Sequence, residues 1–191
     1  MLNREEIEAL IREKKLLEGY FDLDAQLTPN GFDLTVGSIF EFETDGAIDF
    51  SNTERILPDV RELEPQKLDP QDKHGWWQLK KGAYKIKTNE TVKLPNFLTG
   101  IAFPRSTLLR MGAYTQTGVW DAGFQGKSEF ILLVENPQGI SVKQNARIVQ
   151  LLFMGMDEAE RGYEGVYQNS KLACGAENYK CISVKFGLKR G

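Results

Sequence analysis

Apolar residues recur along this chain with two different periods. Over residues 3 to 18 they fall at Ile7, Leu10, Ile11 and Leu17, on one stripe of a helix. Asn3, followed three residues later by Glu6, has the spacing of a capping box, so this opening segment predicts a helix. From residue 32 the period shortens. "FDLTVGSIFEF" (32–42) alternates; "WWQLKKGAYKIKT" (76–88), "ETVKLP", "LTGIAF" (98–103), "KSEFILLVEN" (127–136), "GISVKQ" and "ARIVQLLFMGM" (146–156) follow, divided by Gly, Pro or Asn. Between the first two lies "AIDFSNTERILPDVRELEPQKLDPQDKHG", polar and carrying three prolines, which reads as loop with short pieces of strand. Many short strands at intervals of about 8–12 residues predict a sandwich, barrel or jelly roll rather than alternating strand–helix units. The expected division is an N-terminal helix over 1–20, a β domain over 21–160 and a tail or lid over 161–191. That tail, "RGYEGVYQNSKLACGAENYK" onward, has no apolar period and reads as an arm or as a frayed terminus.

Composition and charge remove several classes of function. With 191 residues and 41% hydrophobic content the chain suits a single core, and its net charge of −3 with scattered basic residues offers no footprint for a nucleic-acid polymer. No apolar run approaches the roughly 18 residues of a membrane span. The N-terminus is charged throughout and is not a signal peptide. Two cysteines, Cys174 and Cys181, make no disulfide framework and point to free thiols in a reducing cytoplasm. The single histidine, His74, argues against a zinc or iron centre and against a Ser-His-Asp hydrolase.

The polar residues inside the strand pattern are more informative. "PNGFDL" places Asp33 after a glycine, "PRSTLLR" supplies Arg105, Ser106 and Arg110, and "QNARIVQLLF" sets Arg147 and Gln150 in an apolar strand. "GVWDAGFQGK" holds Asp121 between Trp120 and Phe124 and among glycines; a carboxylate there is exposed at a turn, paired, or kept for chemistry. Arginine forks, hydroxyls and carboxamides together are what a polyphosphate requires. A carboxylate completes the set, because it can hold Mg²⁺ through water or orient an attacking water. Each residue alone has an ordinary explanation, as a surface arginine or a turn aspartate; the ensemble carries the inference.

In that order the four segments resemble the trimeric dUTPase and dCTP deaminase superfamily. "NGFDL" is similar to its first motif, "PRSTLL" to its second, "TGVWDAGFQGK" to its third and "NARIVQLLF" to its fourth, over roughly residues 26 to 168. The glycine-rich arm with a stacking Phe found in ordinary dUTPases is not matched; "RGYEGVYQ" instead resembles the tyrosine–glutamine tail of deaminase-like and archaeal members. The resemblance implies a mostly β, distorted jelly-roll or β-barrel fold with a short N-terminal helix, forming a homotrimer with sites between subunits. It implies dUTP and related deoxynucleotides as ligands, with Arg105, Ser106, Arg110 and Gln150 on the phosphates. Gly118, Val119, Trp120 and Phe124 would meet the nucleoside, the hairpin backbone pairing with the base and Phe124 packing under the deoxyribose. Tyr163, Tyr167 and Gln168 would belong to the lid. Asp121, aided by Arg105, would be catalytic, and Asp33 and Asp121 would face Mg²⁺ through water.

Two chemistries share this superfamily, and one position separates them. In the deaminases a glutamate ten residues beyond the hairpin aspartate shuttles protons while water adds to C4 of cytosine. Ten residues past Asp121 stands Ile131. The nearest acid, Glu129, is two residues short and displaced by about 6.6 Å along a regular strand. A hydrogen-bond reach of about 3 Å does not absorb that. The reading therefore favours hydrolysis of dUTP to dUMP and pyrophosphate over a dCTP deaminase or bifunctional enzyme. A non-enzymatic jelly-roll binding module explains the strands but not Arg105, Ser106, Asp121 and Gln150 together. No role is assigned to segment 51–75.

Overall fold

The computed structural model describes residues 1–169. Its strands are β1 (Leu17–Glu18), β2 (Leu27–Thr28), β3 (Gly31–Phe42), β4 (Val60–Glu62), β5 (Trp76–Leu79), β6 (Gly82–Lys93), β7 (Leu98–Pro104), β8 (Ala113–Gln116), β9 (Gln125–Val134), β10 (Ile140–Lys143) and β11 (Arg147–Gly155). Three helices join them: α1 (Arg4–Lys14), α2 (Leu23–Gln26) and α3 (Ser106–Arg110). All strand pairs are antiparallel, in the order β7-β11-β3-β6-β9-β8, with β1 added to β6 and both β2 and β4 to β3; β10 and β5 form a separate pair.

Alternation puts one set of side chains inside this curved sheet. Ile39, Ile86, Val92, Leu132, Leu151 and Phe153 are fully buried, and α1 closes one side with Ile7 and Ile11. The two edges, β7 and β8, nearly meet. Past β8, Trp120 and Gly100 exchange both backbone hydrogen bonds at 2.9 Å, and Thr99 Oγ1 donates to the Trp120 carbonyl. The buried Trp120 ring anchors the seam by donating from Nε1 to Ser128 Oγ at 2.8 Å. The result is the mostly β, barrel-like fold that the strand spacing predicts.

Local differences have local causes. The capping box forms as expected, Asn3 Oδ1 accepting from Glu6 N and Glu6 Oε2 from Asn3 N. The helix ends at Lys14, not residue 18, because Lys15 turns into the left-handed region at φ 55° and caps it. Leu17, expected on the helical stripe, is buried from β1 instead. The 76–88 segment breaks at Lys80–Lys81 into β5 and β6. Segment 43–75 carries β4 and the isolated bridges Ala47–Ile56 and Gln66–Trp76, matching loop with short strand pieces. Cys174, Cys181 and the rest of the tail from residue 170 lie outside the described residues. Replacing Asn3 with Ala removes the cap and is expected to lower stability by about 1 kcal/mol. Urea melts check this; an unchanged midpoint would show that the cap contributes nothing.

Candidate active site

One group of predicted residues converges where β3, β7 and β11 lie side by side. Asp33 sits on β3 opposite Gln150 on β11, and Gln150 is in turn opposite Phe103 on β7. Arg105 follows β7 directly, its N–H bonded to the Ile148 carbonyl at 3.1 Å. Asp33 is buried, and its Oδ2 accepts Arg105 Nε at 2.9 Å and Arg147 Nη1 at 3.4 Å. The same Arg147 nitrogen donates to the Ala25 carbonyl. Gln150 Nε2 donates to Thr28 Oγ1 at 2.6 Å. Ser106 and Arg110 lie four residues apart on α3, exposed beside this cluster. The arrangement orients two partly exposed guanidiniums from a shared internal acid, which suits them to grip an anion arriving from solvent.

Burial pushes the Asp33 carboxyl above the ordinary carboxylate range, while Arg105 and then Arg147 pull it back only in part. Burial prevails because the guanidiniums are themselves open to solvent, 32% and 39% exposed, so their charges are screened.

The second group lies on the 117–126 hairpin. Asp121 is exposed at its turn, where its carbonyl accepts Phe124 N at 3.0 Å and its carboxylate has no ion pair among the described residues. The lone acid of this segment is thus exposed and uncommitted. Gly118 faces open space, and the Gly118 and Val119 backbone is outside every ladder. Trp120 differs from expectation: its backbone is consumed by Gly100 and its ring by Ser128, so it anchors the hairpin rather than presenting itself to a ligand. Phe124 is half-buried with its ring edge-to-face against Tyr163 at 5.7 Å. The tail crosses here in an ordered way. Tyr163 N donates to the Ala122 carbonyl at 2.8 Å, and Gln168 Nε2 donates to the Gly123 carbonyl while its Oε1 accepts Gln125 N, both at 2.8 Å. Gly123 has φ +82°, and a Cβ there would stand 2.7 Å from both Asn96 Oδ1 and Gly162 Cα; only glycine lets the tail pass. Tyr167 faces Arg55, whose guanidinium is 5.9 Å from its ring, the one link between the tail and segment 51–75 seen among the described residues.

Within one chain the two groups are attached toward opposite ends of β7. Gly100, which holds Trp120, and Arg105 are five residues apart on extended backbone. That is about 16 Å at a rise of ~3.3 Å per residue.

No group of three or more His, Cys, Asp or Glu side chains among the described residues could hold an ion. Asp33, expected to face Mg²⁺ through water with Asp121, has its Oδ2 engaged by two arginines. Glu129 is not free for acid–base work: it pairs with Lys85 Nζ at 3.3 Å on the outer face of β9, and Ile131 faces the same side. Sequence reasoning missed the buried Glu90, Gln26 and Thr35, which with half-buried Asn89 form a polar knot behind Asp33. The polar trio Thr88–Asn89–Glu90 inside an alternating strand is the signal that points to it.

The chain belongs to the dCTP deaminase-like family, whose model matches residues 1–156. Within that family it is 42% identical to a protein of Archaeoglobus fulgidus over 90% of this chain and 98% of that one, named probable deoxyuridine 5'-triphosphate nucleotidohydrolase. A Methanosarcina mazei protein with the same name is 47% identical over 88% of this chain and 96% of its own. Among solved structures, the 2'-deoxycytidine 5'-triphosphate deaminase of Agrobacterium tumefaciens has the same fold, with a TM-score of 0.59 at 22% identity, covering 80% of this chain and 46% of that one.

The Asp33 assignment has a sign that can be measured. A carboxyl raised by folding holds its proton more tightly in the folded state, so its contribution to stability is full below the ordinary aspartate value. That contribution is lost as pH rises through the window between the ordinary and the raised value. Asp33→Asn cannot titrate. The stability of the native protein relative to this variant should therefore fall as pH rises from about 3.5 and level off above the window. Denaturant melts of both proteins across that range check it; a difference that grows with pH would reverse the assignment.

Proposed function

We infer that this protein is a dUTP diphosphatase, hydrolysing dUTP to dUMP and pyrophosphate. The observation that carries the choice of chemistry is on β9, where Ile131 stands ten residues past Asp121 and the neighbouring Glu129 is held by Lys85. Amine chemistry at cytosine lacks its acid–base group, while the phosphate-gripping residues are all present. The names of the archaeal relatives support the same substrate.

In this reading the triphosphate lies across Arg105, Ser106, Arg110 and Gln150, with Arg147 held alongside by Asp33. The open backbone at Gly118 and Val119 reads the pyrimidine edge, and Phe124 packs against the deoxyribose. Asp121 takes a proton from water as its oxygen attacks the α-phosphorus. The α–β bridging P–O bond breaks and pyrophosphate leaves. Mg²⁺ arriving on the triphosphate would supply charge neutralisation for the leaving group, with Asp121 as the residue that would face it through water. The ordered tail through Tyr163, Tyr167 and Gln168 acts as the lid.

Separation of the hairpin from the arginine cluster supports a site shared between neighbouring copies of a homotrimer. A general base must stand about 3 Å from the water it activates. Within one chain the strand from Gly100, which holds the base-bearing hairpin, to Arg105 spans about 16 Å, which favours a neighbour's arginines over the chain's own. Phe103, Leu109 and Val119, each more than half exposed at 56%, 54% and 61%, give the rim apolar surface for a neighbour. The setting is a reducing cytoplasm, in keeping with cysteine usage.

Assaying pyrophosphate and ammonia separately, with dUTP or dCTP and Mg²⁺, tests the reading. Pyrophosphate from dUTP with no ammonia from dCTP is expected; ammonia from dCTP makes it a deaminase, and neither product makes it a binding module. Asp121→Asn is expected to lower turnover by about 10²–10⁴ with far smaller change in nucleotide affinity. Near-native turnover in that variant would remove Asp121 from the mechanism.

A further inference from the structure

Three strands lose register at one place in the molecule. On β11, Ile148 is extra between Arg147, opposite Thr35, and Val149, opposite Leu34. On β3, Gly37 is extra between Val36 and Ser38. On β6, Thr88, Asn89 and Glu90 lie between Lys87 and Thr91, whose partners on β9 are Glu129 and Lys127. Such bulges release backbone groups from the ladder, and in a core those groups need other partners.

Glu90 supplies them. It is completely buried, at 0% exposure, although no cation is paired with it among the described residues. Its Oε2 accepts Thr35 N at 2.9 Å, and its Oε1 accepts Thr35 Oγ1 at 2.6 Å and Gln26 Nε2 at 2.8 Å. The Gln26 amide cannot be reversed, because its Oε1 already accepts Phe21 N at 2.8 Å and Asp22 N at 3.2 Å. The Thr35 hydroxyl takes a hydrogen bond from Asn89 Nδ2 at 2.9 Å, which directs its own proton to Glu90. Every partner of Glu90 therefore donates. Only a carboxylate has acceptors at both ends; a glutamine would set N–H against N–H in either orientation.

The knot touches both sides of the arginine cluster. The Gln26 nitrogen that reaches Glu90 also donates to the Asp33 carbonyl at 2.9 Å. Thr35, held through backbone and side chain, stands directly opposite Arg147. Ala25, whose carbonyl receives Arg147, is next to Gln26. We propose that Glu90 is a positioning residue: by pinning β3 and α2 beside the register break with β11 it sets where Asp33 and, through Thr35 and Ala25, Arg147 stand, without touching substrate. Its effect on phosphate binding rests on the function inferred above; its effect on the cluster does not.

The test uses Glu90→Gln and Thr35→Val, with Thr35→Ser as the conservative variant and Ile7→Val as a core change remote from the knot. A nonhydrolysable dUTP analogue and dUMP are titrated into each by calorimetry, alongside steady-state kinetics and melting temperatures. Glu90→Gln and Thr35→Val should lose about tenfold or more in analogue affinity and kcat/KM, with dUMP affinity held within about twofold. Thr35→Ser should recover native values, and Ile7→Val should lower the melting temperature without that selectivity. Equal weakening of both ligands, or the Ile7→Val pattern in the knot variants, would reduce Glu90 to a fold-stabilising residue and overturn the proposal. If Glu90→Gln does not fold, the Thr35 pair decides. If the native protein neither binds the analogue nor hydrolyses dUTP, the inferred function fails. Amide hydrogen exchange in the ligand-free protein then decides the role of Glu90. Faster exchange in the knot variants confined to residues 33–36 and 147–149 supports it, and unchanged exchange there overturns it.

Discussion

An extended strand is a rigid ruler, and β7 sets the distance on which the account of this protein depends. At one end its Gly100 is locked to Trp120, which closes the barrel and fixes the hairpin bearing Asp121. Just past the other end Arg105 reaches Asp33. Neither end can move toward the other without opening a sheet whose inward side chains are almost wholly buried. On the proposed reading, a base and a phosphate grip at opposite ends of β7 would make each chain half of two sites rather than the whole of one. On that proposal, assembly would be a chemical requirement of the reaction and not an addition to it.

Electrostatics divides the two acids of the site by environment. Asp33 is buried between two arginines and raised above the ordinary range, paired with guanidiniums that are themselves partly open to solvent. Asp121 is exposed at a turn and free of ion pairs among the described residues, the state a base that must exchange protons with water requires. Behind Asp33, the Glu90 knot repairs the hydrogen bonding where three strands part, so a defect in the ladder becomes the support of the cluster.

Much of this was legible in the residues themselves. Strand alternation and the Asn3–Glu6 cap predicted elements that the structure contains, and the resemblance grouped Arg105 with Gln150, which the structure places on neighbouring segments around Asp33. What escaped was tertiary. The left-handed turn at Lys15 is taken by a lysine, a residue with no marked preference for it, so the helix looked longer than it is. Trp120 resembled a ligand-facing aromatic because nothing local shows that its backbone will meet Gly100, twenty residues earlier. The pairing of Asp33 with two arginines was not legible because they lie 72 and 114 positions away in the chain. Gln26 and Glu90, 64 residues apart, carried no local pattern linking them at all.

The sharing of sites between chains is tested most directly by complementation. Arg105→Ala and Asp121→Asn would each be prepared as inactive homotrimers, then unfolded, mixed in equal amounts and refolded together. If one chain supplies the arginine and its neighbour the aspartate, about one site in three of the mixed trimers, and so about one in four of all sites, contains both native residues. The mixture should then recover roughly a quarter of native dUTP hydrolysis under random assembly. Activity remaining at the level of the two parents, with mixed trimers shown to be present, would place both residues in the same chain's site and contradict the account.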